Sequence, residues 1–242
     1  MNSERFNWGD LLQSLRHRLV VSCQAEGESP FNSPEGVAMF ARAAEQNGAA
    51  AIRTEGVAKT RKIVETVSLP VIGLVKTQFP DGTVCITGSF QAVEDLLSTG
   101  CNLVAMDGTL RSRPAPDSDL NGPALIRAVK QRYDCIVLAD ISTDEDAAAC
   151  VEAGADCLST TLSGYTPATA DLPRDRPNLD LVSRLTQTHH LPVFAEGRVN
   201  SPARAAQAIA AGAWAVVVGT AITRPDTITR WYVEAVEAAA GQ

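Results

Sequence analysis

The sequence has no apolar run approaching the roughly 18 residues that a membrane-spanning helix needs. Its first segment, Met1 to Arg18, also lacks the apolar core and small-residue cleavage site of a secretory leader, being interrupted by Arg5, Asp10, Arg16 and Arg18. These two absences predict a soluble, non-exported protein with no membrane partner. Basic residues are in deficit, 21 against 28 acidic ones, for a net charge of -7. That balance argues against nucleic acid as a partner, because such binding draws on clustered Lys and Arg. An anionic small molecule would instead need cations gathered locally.

The six cysteines (Cys23, Cys85, Cys101, Cys135, Cys150 and Cys157) form no C-x-x-C pair, and several lie within apolar runs where a free thiol packs as a small hydrophobe. They read as reduced thiols of a cytoplasmic protein, not as a disulfide frame or zinc site. Histidine is scarce: His17 falls in the leading segment, and His189 and His190 precede Pro192 where a strand begins. No combination reaches metal-ligand spacing, so no metal is expected. The dinucleotide fingerprint G-x-G-x-x-G and the nucleophile elbow G-x-S-x-G are both missing.

What the sequence does have is a recurring joint: helix, glycine, short apolar strand. It occurs at Gly48-Ala49-Ala50-Ala51-Ile52, Gly100-Cys101-Asn102-Leu103-Val104, Gly154-Ala155-Asp156-Cys157-Leu158 and Gly212-Ala213-Trp214-Ala215-Val216. A glycine that takes the left-handed conformation ends the helix, and small residues let the chain turn into a buried strand. Between these fall joints of a second type, Leu69-Pro70-Val71-Ile72 and Leu191-Pro192-Val193-Phe194, where proline closes one element before an apolar strand. The pattern predicts eight strands: Leu19 to Gln24, Ala50 to Arg53, Val71 to Lys76, Leu103 to Asp107, Ile136 to Asp140, Cys157 to Thr161, Val193 to Glu196 and Ala215 to Gly219. They are near-continuous apolar runs, as expected of a parallel sheet covered by helices. Ser33-Pro34-Glu35 and Ser201-Pro202 supply helix starts, an N-cap serine before a first-turn proline. Eight strand-helix units in 242 residues fit a single (β/α)8 TIM barrel, an α/β fold of about 250 residues. Residues 1–18 are read as an N-terminal extension whose amphipathic stretch, Trp8 to Leu19, caps the barrel floor.

Active sites of such barrels gather at the C-terminal ends of the strands. Here those ends are polar: Gln24, Arg53, Lys76, Asp107, Asp140, Thr160 with Thr161, and Glu196, followed by Gly219. For any one of them the plainer reading is a polar residue where a buried strand meets water. Together they must converge on one mouth, and that convergence favours a site. Lys76 is the candidate base, since a lysine partly desolvated among barrel residues can titrate toward neutrality. Asp140 and Glu196 can act as acid, base or orienter, or simply pair with Arg53 or Lys76. Gly197-Arg198 after the seventh strand, and Gly219-Thr220 opening toward Arg224 after the eighth, suit an anion: glycines let amides approach it, a short helix points its dipole there, and arginine offers a two-pronged contact. The alternative is that these glycines serve only tight turns. Ser163 to Asn178 is long for a strand-to-helix loop and reads as a lid or as a solvated loop.

Val21-Ser22-Cys23-Gln24-Ala25, Pro70-Val71-Ile72-Gly73-Leu74-Val75-Lys76, Ala139-Asp140-Ile141-Ser142-Thr143, Thr160-Thr161-Leu162-Ser163-Gly164-Tyr165-Thr166, Ala195-Glu196-Gly197-Arg198 and Val218-Gly219-Thr220-Ala221-Ile222-Thr223-Arg224-Pro225 together resemble the bacterial N-acetylmannosamine-6-phosphate 2-epimerases of sialic acid breakdown. The resemblance runs in order from about Leu15 to Val236. It implies removal of the C2 proton of an open-chain aminosugar phosphate and its return on the opposite face, with no cofactor. It further implies Lys76 as acid/base with Glu196 and Asp140 beside it, Gln24 and Arg53 on the sugar, and Arg224 with the glycine turns on the phosphate. The sequence departs from the family in its first fourteen or so residues and at Gly108, where alanine is expected. Two other readings stand beside this one: a Schiff-base aldolase using Lys76, and a sugar-phosphate-binding barrel without chemistry. A homodimer or higher homo-oligomer is expected from the apolar, Trp231- and Tyr232-bearing segment Ile228 to Ala240.

Overall fold

A computed structural model describes residues 8–112 and 120–241; the first seven residues of the expected extension lie outside them. The strands in chain order are β1 (Arg18–Ser22), β2 (Ala51–Glu55), β3 (Val71–Leu74), β4 (Lys76–Gln78), β5 (Val84–Ile86), β6 (Leu103–Asp107), β7 (Ile136–Asp140), β8 (Cys157–Ser159), β9 (Val193–Glu196) and β10 (Ala215–Val218). All except β4 and β5 are parallel and close into a barrel in the order β1-β10-β9-β8-β7-β6-β3-β2. The eight expected strands are therefore present, with ends shifted by a residue or two.

The joints behave as their residues dictate. Gly48, Gly100, Gly154 and Gly212 lie at φ of 87, 83, 90 and 99°, a region closed to side chains with a Cβ except at a cost. The Ser33 side chain accepts from the Gly36 amide at 3.0 Å and that of Ser201 from the Arg204 amide at 3.3 Å, so both expected helix starts are capped. Alternation along the strands divides the core in two. Ile72, Leu74, Leu103, Ala105, Leu138 and Phe194 fill the interior, while Val104, Met106, Val137, Ala139 and Val216 pack outward beneath the helices.

The leading helix covers only Trp8–Ser14, shorter than the Trp8 to Leu19 expected, because Arg18 already pairs with Ala215 in the barrel. Between them His17, at φ 57°, turns the chain, and its amide donates to the Trp214 carbonyl at 2.6 Å. Leu11 and Leu15 are buried in the cluster that fills the barrel interior, and Trp214 Nε1 donates to the Leu12 carbonyl at 2.8 Å.

Gly108 has a packing reason. A Cβ there would come within 2.6 Å of Cys150 Sγ and 3.2 Å of the Ala139 Cβ, so the cysteine occupies the volume an alanine would need. Among the described residues no helix is long and apolar enough to cross a membrane.

Candidate active site

Where the strands end, a cavity of about 670 Å³ opens, with Gln24, Arg53, Lys76, Glu196, Gly219 and Arg224 in its wall. Its deepest charged group is Arg53, only 1% exposed. Arg53 Nη1 and Nη2 donate to Asp140 Oδ1 and Oδ2 at 3.0 and 2.6 Å, and Nη1 also lies 3.2 Å from Glu196 Oε2. Thr161 Oγ1 ties the carboxylates together, donating to Asp140 Oδ1 at 2.6 Å with Glu196 Oε2 at 3.0 Å.

This arrangement revises two expectations. Arg53, expected to hold the sugar, has its guanidinium fork committed to two carboxylates. Asp140, expected to take part in the chemistry directly, is fully buried and bonded to Arg53 instead of reaching the cavity wall. The physical reason is that a buried cation needs counter-charge more than it needs substrate. Burial works against the charge on Arg53, and Asp140 and Glu196 overcome it, holding the guanidinium above its ordinary value. Burial likewise pushes Asp140 and Glu196 up, with Arg53 opposing. Two carboxylates around one cation leave a surplus negative charge, so a proton is readily accommodated. Asp140 holds Arg53 through the short two-pronged bond, whereas Glu196 meets the guanidinium at one longer contact and stands in the cavity wall.

Lys76 does not end a barrel strand. β3 stops at Leu74 and the chain leaves the barrel as an antiparallel hairpin in which β4 pairs with β5, Lys76 opposite Ile86 and Gln78 opposite Val84. Its turn is built by Asp81, whose carboxylate accepts from the Thr83 amide and hydroxyl at 2.9 and 2.6 Å, and by Gly82 at φ 82°. The Asp81-Gly82 pair between apolar-containing runs was the sequence signal for this hairpin. Lys76 Nζ donates to Glu26 Oε1, and Arg224 Nη2 meets the same oxygen at 3.1 Å. Lys76 is thus ion-paired and 31% exposed, not the desolvated lysine that its run of apolar neighbours suggested.

Arg111 fastens the hairpin to the barrel. Its Nε donates to Thr109 Oγ1 at 2.9 Å, Nη1 to Thr83 Oγ1 at 2.9 Å, and Nη2 to the Val84 carbonyl at 3.0 Å and to Asp107 Oδ2 at 2.7 Å, while its guanidinium lies 4.1 Å from the Phe79 ring centroid. The strand-end Asp107 therefore anchors Arg111, and through it the wall that carries Lys76.

The two glycine turns also line the cavity. Gly197 at φ 99° and Arg198 at φ 58° reverse the chain after β9. Beyond β10, Gly219 leads into a short helix, Thr220–Thr223, whose Thr223 hydroxyl donates to the Ser22 carbonyl at 2.7 Å. The first amides of a helix have no intrahelical acceptor, and here they belong to Thr220 and Ala221, beside Arg224. Arg198, expected as a second phosphate contact, stands in the cavity wall and also holds a loop. Its Nε donates to the Arg176 carbonyl at 3.0 Å, Nη2 to the Ser163 carbonyl at 2.6 Å, and it lies 5.0 Å from the Tyr165 ring centroid. The stretch Ser163 to Asn178 is thereby tied down, and the hydroxyls of its Thr166 and Thr169 bond to each other and to Ser142 Oγ. Gln24, expected on the sugar, donates to Ser22 Oγ at 2.8 Å and lines the cavity. Glu26 and Arg111 were not anticipated; neither ends a strand, and no local pattern marks them. Among the described residues no group of three or more His, Cys, Asp or Glu could hold a metal ion.

Comparison with known proteins places this geometry in a family. The model described as "Putative N-acetylmannosamine-6-phosphate epimerase" matches residues 37–238. A putative N-acetylmannosamine-6-phosphate 2-epimerase of Escherichia coli O157:H7 is 46% identical over 221 residues, covering 91% of this chain and 92% of that protein. The bifunctional enzyme NanE/NanK of Brucella melitensis is 45% identical over 231 residues, 96% of this chain; the chain spans only 43% of that longer relative. The solved structure of the N-acetylmannosamine-6-phosphate 2-epimerase from Clostridium perfringens superposes with a TM-score of 0.86 at 36% identity, covering 97% of this chain and 98% of that one.

Proposed function

The chain belongs to the N-acetylmannosamine-6-phosphate epimerase family, and from that premise we propose that it interconverts N-acetylmannosamine-6-phosphate and N-acetylglucosamine-6-phosphate by inversion at C2, in sialic acid and aminosugar breakdown. The observation that carries this reading is one cavity whose wall holds an amine, a protonatable carboxyl group and a glycine-arginine anion turn.

In the open-chain sugar the C1 aldehyde acidifies the C2 proton. Once Lys76 has released its own proton to solvent, its amine takes the C2 proton, and the electron pair left on C2 delocalises onto O1 as an enolate. Donors pre-set in the cavity stabilise the charge as it develops; Gln24, and Glu196 whenever it carries a proton, are the side chains placed for it. A proton returned to C2 on the opposite face, from the Lys76 ammonium after the substrate turns or from Glu196, completes the inversion. No electron leaves the substrate, so no redox partner enters the balance. Arg53 and Asp140 act at one remove: they fix Glu196 and set its charge. Arg224 and the amides of Thr220 and Ala221 hold the phosphate, and this remote contact keeps C2 near Lys76.

The test is proton NMR of the purified protein with N-acetylmannosamine-6-phosphate in deuterium oxide, beside Lys76→Ala. Deuterium at C2 of both sugars with wild-type protein, and none with the variant, is the expected result. A folded wild-type protein that forms no product and exchanges no C2 proton overturns the reading.

The same reading extends to partners and place. The helix Pro225–Ala240 buries none of its residues and leaves Tyr232, Val233 and Val236 exposed, which favours a homo-oligomer in which a second copy covers it. None of the six cysteines is joined in a disulfide, in keeping with a reducing cytoplasm, and the net charge of -7 disfavours nucleic acid.

A further inference from the structure

One oxygen of Glu26 serves two cations that the proposed reaction assigns to opposite ends of the substrate. Glu26 Oε1 accepts from Lys76 Nζ and lies 3.1 Å from Arg224 Nη2, and all three side chains are in the cavity wall. We propose that Glu26 is a built-in anion that competes with the substrate's phosphate for Arg224, and so sets how tightly the phosphosugar is held.

The argument is electrostatic. With Glu26 ionised, Lys76, Arg224 and Glu26 together carry one positive charge; without it the same site carries two. The carboxylate is held below its ordinary value because the pull of Lys76 and Arg224 outweighs the opposing effect of burial. A phosphate arriving at Arg224 meets a carboxylate already on that guanidinium, and two anions at one cation repel. Glu26 must then either swing away, which its 44% exposure permits, or share the fork. Substrate and product carry the same phosphate, so the competition weakens both equally. It therefore acts on KM and on product release; because the same carboxylate is bonded to Lys76 Nζ, the direct binding of phosphate, and not turnover, is the readout that isolates it.

This inference rests on the phosphate reading of Arg224, and the experiment separates the two. Inorganic phosphate is titrated by calorimetry into wild type, Glu26→Gln, Glu26→Asp, Arg224→Ala and the Glu26→Gln/Arg224→Ala double variant, and KM for the phosphosugar is measured for each. Glu26→Gln is expected to tighten phosphate binding roughly threefold or more at low salt, with KM falling in parallel and the gain shrinking as ionic strength rises. Glu26→Asp keeps the charge and should stay near wild type, and the gain should vanish in the Arg224→Ala background. If Arg224→Ala weakens phosphate binding but Glu26→Gln does not tighten it, or if Glu26→Asp gains as much as Glu26→Gln, the proposal for Glu26 is wrong and the phosphate site stands. If Arg224→Ala leaves phosphate binding unchanged, the phosphate site fails and the role of Glu26 falls with it.

Discussion

Replacing Asp140 by Asn tests the buried charge cluster directly. Asp140 and Arg53 are 0% and 1% exposed and joined by bonds of 2.6 and 3.0 Å, so the substitution removes the main counter-ion of a cation that water cannot reach. Breaking such a pair from one side costs about 3–5 kcal/mol. Glu196 stays 3.2 Å from Nη1 as a remaining counter-ion, and asparagine can still accept one bond, which puts the expected loss near the lower end, about 3 kcal/mol. In a domain this size each kcal/mol moves the midpoint by about 2–4 °C, so melting should fall by roughly 6–12 °C. Urea titration followed by tryptophan fluorescence and scanning calorimetry measure both quantities. The pH dependence has a definite sign. Burial raises Glu196 from its ordinary 4.5, so its contribution to stability is full below that value and declines as pH climbs through the folded one. Asp140 adds to that upward shift, and Asp140→Asn should therefore lower the folded value and narrow the window of decline. The reasoning fails if Asp140→Asn stays within about 1 kcal/mol of wild type while Glu196→Gln loses more, for then Glu196 is the counter-ion that matters.

Other perturbations follow from single contacts. Gly108→Ala drives a Cβ to within 2.6 Å of Cys150 Sγ and should cost about 1–3 kcal/mol; adding Cys150→Ala should recover much of it, and an additive double-mutant cycle would refute the clash. Arg111→Ala frees the hairpin that carries Lys76 while leaving barrel pairing intact, so kcat should fall about tenfold or more with a smaller change in KM and in melting temperature. Equal kcat in the variant would show that the fastening is dispensable. Light scattering should find wild type larger than a monomer and Val236→Glu shifted toward one; a monomeric wild type at micromolar concentration contradicts the oligomer.

Much of the fold was legible because its cause is local. A glycine that must adopt positive φ at the end of a helix, followed by a short apolar run, announces a buried strand whatever lies elsewhere, and Gly48, Gly100, Gly154 and Gly212 did so. The site was legible as a set of residues, because barrel strands deliver their ends to one mouth, but not as a set of contacts. Arg53 and Asp140 are 87 positions apart, and nothing near either one says that the arginine bonds to protein in preference to ligand. Arg198 likewise sits beside a glycine turn that suits an anion, yet its partners, Ser163 and Arg176, come from another loop. Lys76 continues an apolar run, which by itself reads as a longer strand. The Asp81-Gly82 turn five residues on is what folds the chain back.

The hairpin of β4 and β5 stands outside the ring of barrel pairing, since β3 bonds directly to β6. The closure of the barrel is therefore indifferent to the hairpin's length and tip. Insertions, deletions or loop grafts between Gln78 and Val84 can reshape one side of the cavity without asking the fold to change, provided Arg111 still finds a carbonyl and a hydroxyl to grip. One wall of the cavity can thus vary without touching the pairing that closes the barrel, which makes that hairpin the natural place to begin redesigning what the cavity admits.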